Sequence, residues 1–187
     1  VLSWAAAAGG GSLTVIETAV ASNDATLGVS GIDSNYDTYL IVGSDIVPVD
    51  NDKDLYLRLG DSGGIDSGAS DYHWLMHILY TDDTTYRAIN DADDSRIQIA
   101  GETAIGGLGN QAGEGGGFAL WLTQPSNATK RPTINGTSSF NNGTGHAGGA
   151  LVFGGRQAVV AVTQVEIHME SGNISTGRLT VWGLKHS

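Results

Sequence analysis

Cysteine is absent from the chain. That excludes thiolate zinc sites, disulfide frameworks and cysteine nucleophiles. A chain of 187 residues does not need those staples, because a domain of that size buries roughly 70% of its unfolded surface. Positive charge is also scarce: 9 Lys and Arg stand against 20 Asp and Glu, a formal net charge of −11. A field of that sign repels phosphate backbones and anionic lipid surfaces, so neither nucleic acid nor a membrane is an expected partner. No apolar run approaches the roughly 20 residues that span a bilayer. The start, VLSWAAAAGGGSLTVI, has no basic residue ahead of its apolar stretch, so a signal peptide is not expected.

Helical periodicity is missing as well. No segment of helical length repeats its apolar residues every 3.6 positions. Glycine is abundant instead, 28 residues against three prolines, and it is interleaved with apolar and aromatic residues throughout. That pattern fits many short strands joined by tight turns. About a dozen strand candidates follow one another at the ~8–12-residue spacing of a sandwich or barrel. Residues 54–59 (DLYLRL) set Leu55, Leu57 and Leu59 on one face and Asp54, Tyr56 and Arg58 on the other. Residues 71–80 are apolar and aromatic at both parities, too continuous for a one-sided strand, which suggests a strand buried on both faces or one passing through the middle of a sheet. Asn23 and Asp24 are expected to turn the chain, and Pro48 to break the strand before it. Residues 133–150, rich in Asn, Gly and Thr, offer little to pack.

The end of the chain carries the clearest alternation. Residues 159–184 place Ala161, Thr163, Val165, Ile167 and Met169 on one face, then Leu179 and Val181 opposite Thr180, Trp182 and Leu184. With Glu170, Ser171, Gly172 and Asn173 between, this predicts a hairpin that closes the domain. The organisation expected is an all-β chain: an Ala/Gly-rich arm over residues 1–12 and a β-sandwich over residues 13–187. The apolar front of the arm, Val1, Leu2 and Trp4, needs a neighbour to dock on and is the candidate assembly segment.

Chemical motifs are few. Residues 60–64 spell GDSGG, as around the nucleophile of chymotrypsin-like proteases, but the first histidine is His73, after the serine, so no upstream base exists. A surface loop is the better reading. The acidic run from Asp50 to Asp54 does not fit an EF-hand, because Leu55 stands where glycine is required. A looser calcium site from Asp50, Asp52, Asp91, Asp93 and Asp94 is the remaining metal candidate, with a solvated acidic loop preferred. His73 and His77 share a face in a strand but stand about 13 Å apart, too far for one metal. Sequons at Asn127, Asn135, Asn142 and Asn173 are expected from composition alone. No catalytic residues, metal or cofactor are expected. Among the aromatics that a rim site for sugar would use (Tyr36, Tyr72, Trp74, Tyr86, Trp121), we take Tyr72, Trp74 and Trp121 as the ligand-binding candidates, although most aromatics in a sandwich fill the core.

Several stretches together carry a resemblance: residues 25–40 (ATLGVSGIDSNYDTYL), 54–60 (DLYLRLG), 68–72 (GASDY) and 165–184. With Tyr36, Tyr39, Gly177, Trp182, Gly183 and Leu184 at its marked positions, the chain resembles the β-sandwich virion proteins of tailed bacteriophages, of the head-decoration and tail-fibre-tip type. The resemblance implies a jelly-roll-like antiparallel sandwich, trimeric, on the exterior of the virion. Its implied partners are other capsid or tail proteins and a host surface glycan. A carbohydrate-binding module that recognises host glycan is the alternative of a different class.

Overall fold

A computed structural model describes residues 13–84, 86–102, 105–127 and 129–185. Val1, Leu2 and Trp4, the candidate assembly segment, lie outside the described residues. The chain forms thirteen described strands: β1 (Thr14–Asp24), β2 (Thr26–Ser30), β3 (Thr38–Pro48), β4 (Leu55–Asp61), β5 (Gly64–Ile65), β6 (Tyr72–Tyr80), β7 (Arg87–Asp94), β8 (Ile97–Ala100), β9 (Gly115–Thr123), β10 (Thr133–Asn141), β11 (Ala147–Arg156), β12 (Gln164–Met169) and β13 (Ile174–Leu184). They make two antiparallel sheets that pack on each other, one of them curled into a half-barrel. The long sheet runs β1-β13-β3-β9-β10-β11-β6-β7, and the short one runs β2-β12-β4-β5 with β8 also on β4. No described helix is long and apolar enough to cross a membrane.

One core fills the space between the sheets. Tyr39 and Ile41 of β3, Leu120 and Leu122 of β9 and Met76 and Ile78 of β6 face Leu55, Leu57 and Leu59 of β4 and Val165 and Ile167 of β12. The inward set read for residues 55–59 and 165–184 is therefore the one observed, whereas residues 159–163 are not strand: Val162 is buried and Ala161, placed with Val165 by the alternation, is exposed. Tyr56, however, is also buried although it sits on the outward parity of β4, because the Arg96 guanidinium lies 4.0 Å above its ring.

The closing hairpin is a correction. β12 pairs with β2 and β4 in the short sheet, while β13 pairs with β1 and β3 in the long one. The turn between them is an arch across the core, held where Glu170 N–H donates to the Asp54 carbonyl and Val49 N–H to that of Asn173. Period-two alternation fixes which side chains face the core. It does not name the strand's neighbour, since a strand that crosses to the other sheet shows the same pattern.

Three other stretches differ from expectation. Asn23 and Asp24 finish β1 rather than turn it, with Asn23 at φ 64° and its carbonyl capped by Asn173 Nδ2 at 2.9 Å. Residues 71–80 do lie inside a sheet, between β11 and β7, but are buried on one face only: Tyr72, Trp74, Met76, Ile78 and Tyr80 point inward and Leu75 and Leu79 outward. Most of residues 133–150 is not loose, since β10 and β11 lie in the interior of the long sheet. Glycine is why so polar a segment packs there. A Cβ at Gly148 would enter the Phe140 ring, so the missing side chain makes room for that ring in the core. Pro48 is the last residue of β3, where its lack of an N–H costs the ladder little.

Candidate functional site

The outer face of the long sheet is where the molecule departs from an ordinary solvated surface. The register places Val15, Trp182, Leu40, Trp121, Asn135, Phe153, Leu75 and Asn90 in one row, each opposite the next, from β1 to β7. The next row runs Thr180, Val42, Ala119, Thr137, Leu151, His77 and Ala88. Side chains at directly opposite positions lie about 5 Å apart, so these rows are continuous surfaces. Leu75, Leu151 and Phe153 are 40, 48 and 44% exposed. They meet across β11 and β6, where Phe153 is opposite Leu75 and Leu151 opposite His77.

A groove of about 590 Å³ crosses this face, lined by His73, Leu75, His77, Ala88, Asn90, Asn135 and Phe153 among others. A smaller hollow of about 320 Å³ adjoins it, lined by His77, Leu79, Tyr86, Thr137 and Leu151. His77 borders both. Its ring meets Tyr86 edge-on, with centroids 5.1 Å apart and planes at 74°. The floor is largely apolar and most of the polar groups are amides and imidazoles, with one carboxylate, Asp91, at the β7 side, where its Oδ1 accepts from Asp93 N–H. That combination suits a neutral, hydrogen-bonding or apolar occupant rather than an ion.

The three aromatics proposed from sequence divide. Trp121 is half-buried and stands on the outer face, between Leu40 and Asn135. Tyr72 is fully buried. Its single hydroxyl proton lies between the Leu59 and Asp66 carbonyls (2.7 and 2.9 Å) and its oxygen accepts from Leu59 N–H (2.9 Å), so its donor is committed within the fold. Trp74 is 9% exposed and points inward, its Nε1–H given to Asp94 Oδ2 at 2.9 Å. Both are corrections: as inward residues of β6 they are core. The residues sequence reasoning missed are the outward ones beside them, Leu75, and across the ladder Phe153, Asn135 and Asn90. The signal is an apolar residue at every second outward position of residues 71–80, a pattern that in sequence reads equally as burial.

The remaining motifs are structural. Ser62 lies between β4 and β5 at the tip of a tight turn, where Asp61 Oδ1 accepts from Gly63 N–H at 2.7 Å. The acidic candidates for calcium are engaged locally: Asp52 Oδ1 accepts from Gly107 N–H, Asp91 Oδ1 from Asp93 N–H, and Asp94 from Trp74 and Ser95. Among the described residues no group of three or more His, Asp or Glu could hold a metal ion. Asn142 is 1% exposed, its Oδ1 accepting from Thr144 N–H, Thr144 Oγ1 and His146 N–H, so this sequon is buried architecture.

Comparison with protein-family models, with curated proteins and with solved structures gives no match.

Proposed function

We propose that this chain is a structural, non-catalytic protein of a tailed-bacteriophage particle, standing on the outside of the virion as a capsid decoration or a fibre tip. The observation that carries the reading is the strand order. Taken without its extensions, β1-β13-β3-β9 faces β2-β12-β4-β8, with the chain crossing between sheets at every step of these eight strands except β4 to β8. That order supports the reading of the sandwich as jelly-roll-like, with β10, β11, β6 and β7 adding a second half to the long sheet. Jelly rolls build viral capsid and lectin domains, so the order supports the resemblance in residues 25–40 and 165–184. The step from architecture to role is an analogy of fold. An antibody raised against the purified chain tests it, applied to tailed-phage particles from cells that carry the coding sequence. Electron microscopy is expected to find label on the particle surface; intact particles that stay unlabelled would remove the proposal.

The groove favours a second reading, recognition of a host surface glycan. Phe153 offers an apolar platform, and Asn90, Asn135, His73 and His77 border it with hydrogen-bonding groups, the pairing that uncharged sugars require. Signal on a glycan array that is lost in Phe153→Ala and Asn135→Ala supports it. An array with no signal excludes it.

A further inference from the structure

We infer that the outer face of the long sheet is an interface between copies of this chain. The inference rests on the reading of the chain as an assembling structural protein and names the surface by which it assembles. The first argument is electrostatic. The chain carries a net charge of −11, so two copies repel unless they meet where the charge is absent. Both rows that cross the sheet, one through Trp121, Phe153 and Leu75 and the other through Thr137 and Leu151, contain no Asp, Glu, Lys or Arg. From β3 to β6 the flanking rows hold no charge: Thr38, Thr123, Thr133, Gly155 and His73 on one side, Ser44, Gly117, Ser139, Gly149 and Leu79 on the other. Charge returns at the two ends of these rows, with Arg178 opposite Ser44 on β13 and Asp91 and Asp93 beside His73 on the edge strand β7. Asp45, at the bulge of β3, is bonded to Arg178 at 3.3 Å.

The second argument is composition. Interface cores are depleted of charge and enriched in aromatic residues, with polar and charged groups at the rim. Here Trp182, Trp121 and Phe153 lie along one row, while the ion pairs Arg87–Asp83 and His146–Asp82 belong to a strand end and loops and Arg178–Asp45 borders the face where β13 meets the bulge of β3.

The third argument is size. Six strands about 4.8 Å apart, each about nine residues at ~3.3 Å, present roughly 800 Å². That matches the ~800 Å² per partner of a stable protein interface. The smallest closed arrangement is a two-fold pairing of sheet on sheet.

The test is mass in solution, by light scattering across a dilution series of the full chain. A mass of two or three copies is expected for the parent protein. Phe153→Asp, which puts a carboxylate at the centre, is expected to raise the dissociation constant by roughly 30-fold or more. Thr137→Asp does the same at an exposed polar position and removes no packing, so it reads out even where Phe153→Asp fails to fold. Thr26→Asp, on the short sheet, is expected to leave the mass unchanged. A parent protein that stays a single copy throughout overturns the inference, as does a mass that both Asp variants leave unaltered, or a monomer that binds glycan on this face. Labelled particles with a monomeric chain would discard this interface and keep the virion reading; unlabelled particles with a dimer that Thr137→Asp splits would do the reverse.

Discussion

The ring of Tyr36 rests on the α-carbon of Gly183, 147 positions later in the chain: a Cβ at that glycine would run into the ring. Tyr39 meets the same ring edge-on, centroids 5.6 Å apart. Asp33 N–H donates to the Tyr39 hydroxyl at 2.8 Å, and Asp37 N–H to the Leu184 carbonyl at 3.2 Å. Burial, the leading cause, pushes the Tyr39 hydroxyl up to about 12. The segment before β3 and the end of β13 thus form one joint at the edge of the core.

That joint makes the first prediction. Gly183→Ala is expected to cost about 1–3 kcal/mol, because the added methyl displaces the ring rather than straining the backbone. Tyr36→Ala should cost a similar amount, and the double variant less than the sum of the two. Urea unfolding of the three variants measures this.

Arg156 is the second. Only 4% of its side chain is exposed, yet it bonds Asp66 at 3.1 Å and Asp71 at 3.0 Å and lies 5.1 Å from the Tyr72 ring centroid. It ties the loop after β5 to β11. Burial outweighs the guanidinium at Asp66, whose carboxyl is held above its usual range. Arg156→Met leaves two carboxylates without their cation, and a loss of about 3 kcal/mol is expected. Because the site lies on the core side, the mass in solution should not change.

A pH prediction comes from His168. Its ring nitrogens are buried without hydrogen-bond partners, and the ring packs 5.6 Å from Tyr56. Burial first, then Arg58 and Arg96, bring its pKa down to about 4. An unfolded histidine titrates near 6.5, so between those values the unfolded chain binds the extra proton. The contribution is complete above about pH 6.5, declines as pH falls towards about 4 and is flat below. The loss is on the order of 2 kcal/mol, allowing for partial exposure. Thermal unfolding at pH 7 and pH 4.5 should show a smaller drop for His168→Leu than for the parent chain.

Asn142 gives the fourth. Three donors converge on its Oδ1, from Thr144 N–H (3.1 Å), Thr144 Oγ1 (2.9 Å) and His146 N–H (2.8 Å), in a site 1% exposed. Asn142→Ala strands them and should cost about 2–3 kcal/mol. Amide hydrogen exchange at residues 143–147 should speed up with it.

How far the sequence reaches can be judged from particular strands. Leu55, Leu57 and Leu59, and Val165, Ile167 and Met169, face the core as their alternation requires, because successive side chains of a strand must point to opposite faces. Which strand lies alongside was not legible. β12 and β13 separate into different sheets, since neighbours are chosen by loop closure and burial over the whole chain. Nor was the side taken by each parity of residues 72–80. Trp74 and Leu75 are adjacent and both apolar, and only the packing of β8 and the rest of the core against β6 turned Trp74 in and Leu75 out.

The sequence by itself determined an all-β chain, the pattern of inward residues and an acidic surface without cysteine chemistry. The tertiary structure decided where that acidity is missing. Outward residues contributed one or two at a time by eight strands, from Val15 to Trp182, become a single uncharged face only when the ladders bring them side by side. Hydrophobicity is local to a residue, whereas a surface patch is a property of register between strands distant in sequence.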